Sequence, residues 1–298
     1  MSKKNLDFKV DYKKLNILDE FNTLDIKYPI VLSSPHAGTV FPQEFLDNTS
    51  LSIDELRDSE DVYATELIMP ASNAGIPLVS LNIHRTFVDV NRDKIEVDES
   101  MYFNKSQNDT QINPRRCRYG LGVIHRIVSQ NKEIYDGLLS YNEVEERFKN
   151  VYDEYHKKLK QLIDKVKRKF GFCLLIDCHS MPSKICSVMN ETKTVDFCIG
   201  NLFGESCSEK VSSFLKEELE IKDYRVELNR PYTGAFITFN YCQPRQNLYT
   251  LHLEINKSLY MDETVYKKSD KFQDVSTDIS ASIIGLGDFL LDFKQIIC

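Results

Sequence analysis

Apolar residues along the chain fall into short unbroken runs separated by stretches of helical spacing, and that pattern predicts most of the elements. Runs rich in Val, Ile, Leu and Phe occur at Tyr28–Ser34, Pro77–Asn82, Arg85–Val90, Phe172–Cys178, Val195–Gly200 and Leu248–Ile255. Continuous runs of this kind fit strands covered on both faces. Helical patterns lie between them, over Asp61–Asn73 (stopped by Gly75), about 143–170, 205–218, and from about Asp278 onward. In the longest, Phe148, Val151, Tyr152, Tyr155, Leu159, Leu162, Ile163, Val166 and Phe170 recur at three and four residues, as one buried helix face requires. Alternating strands and helices predict an α/β fold, with a mainly parallel central sheet sandwiched by helices. No repeat or linker divides residues 1–298, so a single domain is expected. The polar stretch Asp93–Gly122, with Asn113-Pro114, reads as a long loop, and loops of that length are often functional.

Charge and cysteine usage narrow the function classes. With 38 Lys plus Arg against 45 Asp plus Glu, the formal net charge of -7 argues against a nucleic-acid or anionic-membrane partner and favours small-molecule chemistry. The longest apolar run, Phe172–Ile176, is far too short to span a bilayer, and the start MSKKNLDFKVDYKK carries no apolar signal segment. A cytoplasmic protein is expected. The basic run from Lys157 to Lys169 is read as the solvated face of a helix, with cations favoured near its C-terminus. Eight cysteines without a CxxC pair suit reduced, mostly buried thiols rather than a disulfide framework or zinc cluster.

Candidate chemistry gathers where apolar runs end, which is where ligands bind in open α/β sheets. His36 follows YPIVL within SSPHAG, and His179 follows FCLLI within DCHS. Two histidines in the same setting suggest a pair of metal ligands. Catalytic zinc commonly takes two histidines and one carboxylate, leaving a position for water. Asp58-Ser59-Glu60-Asp61 offers that carboxylate, although acids at a helix start are also stabilising without any metal. Asp177, two residues before His179, suits acceptance of the other ring N–H. Arg85, Asn91 and Arg92 flank an apolar core in HRTFVDVNR; an Arg fork binds carboxylates or a developing oxyanion, whereas a structural ion pair with Asp89 is the alternative. Glu254 shares a strand face with His252 and Asn256, and it could act as a proton carrier if that strand end approaches a metal.

Taken in order, SSPHAG, HRTFVDVNR, RYGLGVIH, YHKKL, LLIDCHSM, LNRPYTGAFIT and LHLEINKSLYMDE resemble the N-formylglutamate amidohydrolase family, from about Ile30 to Glu263. That family is similar in turn to the zinc carboxypeptidase and aspartoacylase group, whose mixed sheet carries helices on both faces. The resemblance implies one Zn²⁺ per chain held by His36, Asp61 and His179, with another divalent ion acceptable to the same donors. It further implies Glu254 as general base and then acid, Arg85 at the oxyanion, and Asn91 and Arg92 on a substrate carboxylate. Arg118–His125 and Pro231–Thr238 would line the pocket, with Tyr232, Gly234 and Thr238 on the substrate. The implied reaction is hydrolysis of the N-acyl amide of an acidic amino acid, such as N-formyl-L-glutamate, to glutamate and formate.

Three departures mark this chain. The carboxypeptidase group carries its acid three residues after the first His, where Thr39 stands here, so Asp61 is taken instead, with Glu60 as substitute. Ala37 replaces the Ser that many relatives have. Residues 93–120 have no counterpart and are expected to shape specificity. Two other readings are an amide hydrolase of acylated peptides or cell-wall amides, and a metal-free protein that captures small anions through Arg85, Asn91 and Arg92.

Overall fold

Seven strands build the main sheet: β1 (Leu18–Phe21), β2 (Ile30–Ser34), β3 (Leu78–Leu81), β4 (Cys173–Met181), β5 (Phe197–Gly200), β6 (Val226–Leu228) and β7 (Leu248–Asn256). Their spatial order is β6-β5-β7-β4-β2-β3-β1. Pairing is parallel between β3 and β2, β2 and β4, β4 and β7, and β5 and β6, while β7 and β5 run antiparallel. The sheet is therefore mainly parallel, as the alternation predicts, and mixed through β5 and β7, as the family resemblance implies. The computed structural model describes residues 4–104, 115–188 and 194–292. Residues 105–114 of the expected loop, its Asn113-Pro114 turn included, and Cys298 lie outside the described residues.

Of the described residues, those within Met1–Asp19, Pro35–Glu60 and Leu81–Lys158 form one compact unit, and those within Glu20–Ser34, Asp61–Ser80 and Leu159–Cys298 form another, larger one. The larger unit holds the sheet core. Because side chains alternate along a strand, Ile30 and Leu32 of β2, Leu174, Ile176 and Cys178 of β4, and Tyr249, Leu251, Leu253 and Ile255 of β7 share one apolar face. Helices α1 (Ala64–Asn73), α4 (Glu209–Glu220) and α6 (Phe272–Asp292) cover it through Leu67, Ile68, Leu215, Ile279 and Ile283. Burying each such side chain contributes about 1.5–3 kcal/mol. The opposite face carries Asp177, His179, His252 and Glu254, and α5 (Phe236–Asn240) joins it where Thr250 Oγ1 donates to the Thr238 carbonyl at 2.7 Å. Helices thus lie on both faces.

The chain between Ser140 and Phe170 forms α2 (Tyr141–Arg147), one π-helical turn at Phe148–Tyr152 and α3 (Asp153–Phe170). All the residues expected on its inner face are buried except Phe170, which is half-buried. In the smaller unit Arg147 of α2 is fully buried, its guanidinium 4.1 Å from the Phe87 ring centre. It donates to Glu143 Oε1, the Phe87 carbonyl and Tyr135 Oη, each at 2.7 Å.

Two expectations shift. Arg85–Val90 is not a strand but a series of turns, with Phe87, Val88 and Val90 buried nonetheless. Its backbone is satisfied elsewhere: Phe87 N–H by the His84 carbonyl, Asp89 N–H by the Val123 carbonyl, and the Phe87 carbonyl by Arg147. The helix expected from Asp61 begins at Ala64, because Tyr63 takes a left-handed φ of 63° that closes helical geometry to the residues before it. Asp61 is left ahead of the helix. Seven described cysteines form no disulfide, six of them buried, as the reduced-thiol reading expects. No described helix is long and apolar enough to cross a membrane.

Candidate functional site

In the larger unit, parallel register sets two pairs of polar side chains beside each other: His252 opposite Asp177 and Glu254 opposite His179. Asp177 is completely buried, with imidazole and hydroxyl partners. Its Oδ1 accepts from Ser33 Oγ of β2 at 3.0 Å, and its Oδ2 lies 2.9 Å from His179 Nε2 and 3.6 Å from His252 Nδ1. The other nitrogen of His179, Nδ1, is 2.8 Å from Asp61 Oδ2, and Ser180 Oγ donates to Asp61 Oδ1 at 3.3 Å. Burial alone would lower the His179 pKa, but Asp177 and Asp61 outweigh it and hold the imidazole well above its usual range. Asp177 is held well below the carboxylate range: burial would raise it, and His179 and His252 more than reverse that. A neutral imidazole carries one N–H, so with a carboxylate at each nitrogen of His179 one of the two contacts needs added positive charge, from a proton or from a cation. An imidazole nitrogen and a carboxylate oxygen are the donor types that a zinc site uses, and Asp177 at the other nitrogen could orient the ring. Asp177, His179 and His252 also offer ligand atoms within 4.8 Å of one another.

Glu254 Oε1 lies 2.9 Å from His252 Nε2. The Tyr232 ring approaches His252 edge-on, 6.4 Å between centres, and packs against Met181, Cys186, Val195 and Cys198. Gly234 has a φ of +147°, and a Cβ there would meet Leu202 Cδ2 at 2.8 Å. Thr238 Oγ1 accepts the Ala235 N–H at 3.3 Å at the start of α5.

The smaller unit brings the other expected residues together around Asp89. Its Oδ1 lies 2.7 Å from His36 Nε2 and accepts the Asn91 N–H at 2.8 Å; its Oδ2 accepts from Arg85 Nη2 at 2.7 Å and from His125 Nε2 at 3.2 Å. Arg92 Nε stands 4.0 Å from the same Oδ2, and its Nη1 donates to the Asn91 carbonyl at 2.9 Å. Burial would raise Asp89, yet Arg85, His36 and Arg92 hold it well below the carboxylate range. Burial takes His125 down to about 4 despite Asp89, so its neutral ring is an N–H donor. The structural ion pair with Asp89 weighed as an alternative is therefore present, made by Arg85 within a larger hub. Glu60, the substitute ligand, is gripped by Arg57 through Nε at 2.6 Å and Nη2 at 3.2 Å. Along the chain His36 stands two residues past the end of β2, the neighbour of β4.

Sequence reasoning treated Asp89 only as an ion-pair partner, His125 only as part of a motif and His252 only as a face-mate of Glu254. The period-two alternation in LHLE was the signal available for His252.

The sequence profile of the N-formylglutamate amidohydrolase family matches residues 28–261. The chain belongs to that family. Its similarity to the N-formylglutamate deformylase of Pseudomonas putida is 26% identity over 241 residues, covering 80% of this chain and 84% of the relative. The N-formylglutamate deformylase of Pseudomonas aeruginosa is 26% identical over 246 residues, with the same coverage of 80% and 84%. In three dimensions, the crystal structure of N-formylglutamate amidohydrolase from Ralstonia eutropha JMP134 matches with a TM-score of 0.86 at 24% identity, over 92% of this chain and 98% of that one. Membership of this family makes the chain a hydrolase of a carbon–nitrogen amide bond.

Proposed function

We propose that this amidohydrolase-family protein is a zinc-dependent deformylase that hydrolyses N-formyl-L-glutamate to glutamate and formate. The observation that carries the reading is His179, set between Asp177 at Nε2 and Asp61 at Nδ1, with Glu254 opposite it on the next strand. His36, Asp61 and His179 would hold the ion. Asp61 is preferred to Glu60 because Arg57 already occupies the Glu60 carboxylate. Zinc, when bound, supplies Lewis acidity toward water and the formyl oxygen.

The remaining work falls to the protein. Asp177 accepts the His179 Nε2–H and Asp89 accepts the His36 Nε2–H, so both rings present their other nitrogen in a fixed orientation. Glu254 takes a proton from the attacking water and returns it to the leaving amine, so that formate departs with the water oxygen and glutamate with the proton. Arg85, held by Asp89 through one nitrogen, would steady the oxyanion. Asn91 and Arg92 would hold a substrate carboxylate, Tyr232 and Gly234 would line the pocket, and Thr238 would keep the shape of that segment.

The test is metal analysis of the purified chain, with formate release from N-formyl-L-glutamate measured with and without chelator. Equimolar zinc and chelator-sensitive release are expected, with little turnover of N-formyl-leucinamide, which lacks a carboxylate. Release that survives complete zinc removal would sink the metal reading. Zinc with turnover only of uncharged or peptide amides would sink the substrate assignment.

A further inference from the structure

Glu254 does not act as an isolated carboxylate. One oxygen, Oε1, lies 2.9 Å from His252 Nε2, while the other, Oε2, is buried and has no hydrogen-bond partner among the described residues. A carboxylate only accepts, so the ring nitrogen is the donor. His252 is 2% exposed, its ring 4.7 Å from that of His179 between centres, with Tyr232 approaching its edge. The ring cannot swing away without opening the sheet face. The terminal torsion of a glutamate is otherwise broad and two-fold, and a proton carrier must present its lone pair within a narrow range of angle and distance. An alternative role for His252 is as a metal ligand with Asp177 and His179, since ligand atoms of the three fall within 4.8 Å. Against it, Nε2 is engaged by Glu254, and the Asp177 Oδ2 that faces Nδ1 is also the partner of His179 Nε2.

We propose that His252 is a positioning residue that pins Glu254 Oε1 and thereby reserves Oε2 as the atom that receives and returns the proton. The inference rests on Glu254 being the base, and the variants separate the two claims.

The holoenzymes compared are wild type, Glu254→Gln, His252→Leu, His252→Gln, His252→Asn and the double variant His252→Leu/Glu254→Gln. Each is assayed for kcat, KM, bound zinc and thermal midpoint with N-formyl-L-glutamate as substrate. His252→Leu is expected to lose about 100-fold in kcat, with KM within about twofold and zinc retained, the loss typical of a misplaced reacting group. His252→Gln, whose amide reaches the place of Nε2, should recover to within about fivefold of wild type; His252→Asn, one bond shorter, should not. These two variants carry the test if the leucine variant fails to fold. In the Glu254→Gln background, His252→Leu should cause no further loss, because the two residues act as a unit.

Retained kcat in His252→Leu, equal kcat in the Gln and Asn variants, or additive losses in the double variant would overturn the positioning role. Loss of zinc from His252→Leu would overturn it in favour of the ligand role. Undiminished kcat in Glu254→Gln would remove the base itself, and the inference with it.

Discussion

Replacing Asp89 with Asn tests how strongly the hub in the smaller unit depends on charge. The two side chains are nearly isosteric, so packing is kept while one acceptor oxygen becomes an NH₂ group. Oδ1 serves His36 and Asn91 N–H, and Oδ2 serves Arg85 and His125. Whichever way the amide turns, two donors lose their acceptor and face a third donor. Hydrogen bonds to a charged group contribute about 1.5–3 kcal/mol each, and removing one side of a buried ion pair costs about 3–5 kcal/mol. The expected destabilisation is therefore about 3–5 kcal/mol.

The sign with pH follows from the lowered pKa. The stabilisation by Asp89 is fully present above the unfolded carboxylate value, near about 4, and is lost as pH falls from there toward the much lower folded value. Urea unfolding of metal-free wild type and Asp89→Asn at pH 7.5 should give the full difference, and at pH 3 the gap should shrink by about 1 kcal/mol. A difference below about 1 kcal/mol at pH 7.5, or a gap that widens at pH 3, would refute the argument.

Other perturbations probe separate parts of the fold. Arg147→Met strands the buried Glu143 carboxylate and the Phe87 carbonyl, and should cost about 3–5 kcal/mol in urea unfolding; adding Glu143→Leu should restore at least half of that. Gly234→Ala forces a Cβ to 2.8 Å from Leu202 Cδ2 at a φ of +147°, so the thermal midpoint should fall, by an amount equivalent to about 1–3 kcal/mol; an unchanged midpoint would mean the turn readily adopts another conformation. Ser33→Ala removes a buried donor to Asp177 and should cost about 1.5–3 kcal/mol, with no cost in an Asp177→Asn background whose amide can turn.

The long apolar runs were legible because burial on both faces leaves no polar positions to blur them: Phe172–Cys178 and Leu248–Ile255 emerge as β4 and β7 nearly as read. The edge strands β1 and β6 escaped because Leu18–Phe21 and Val226–Leu228 carry too few apolar residues to register. Arg85–Val90 was misread for the converse reason. Its apolar residues are buried, but a side chain, Arg147, rather than a neighbouring strand satisfies part of its backbone, and local composition cannot reveal a partner about 60 residues away. Histidines at strand ends were legible as candidates. The carboxylates that orient them were legible only when two residues away on the same strand, as Asp177 is from His179, and not when folding brings them close, as Asp89 does for His36.

Along β7 the residues that face the helices and the residues that carry polar chemistry alternate one by one: Leu251 and Leu253 on one side, His252 and Glu254 on the other. Inserting or deleting a single residue within this strand would exchange the two sets, driving carboxylate and imidazole into the apolar layer and leucines into the site. On the roles proposed for His252 and Glu254, the register that buries the leucines is also the register that presents the site, so a chain that pairs this strand out of step loses both together. Adaptation to new substrates has to enter through the segments between the strands, while the strand itself can vary only by exchange of one residue for another in place.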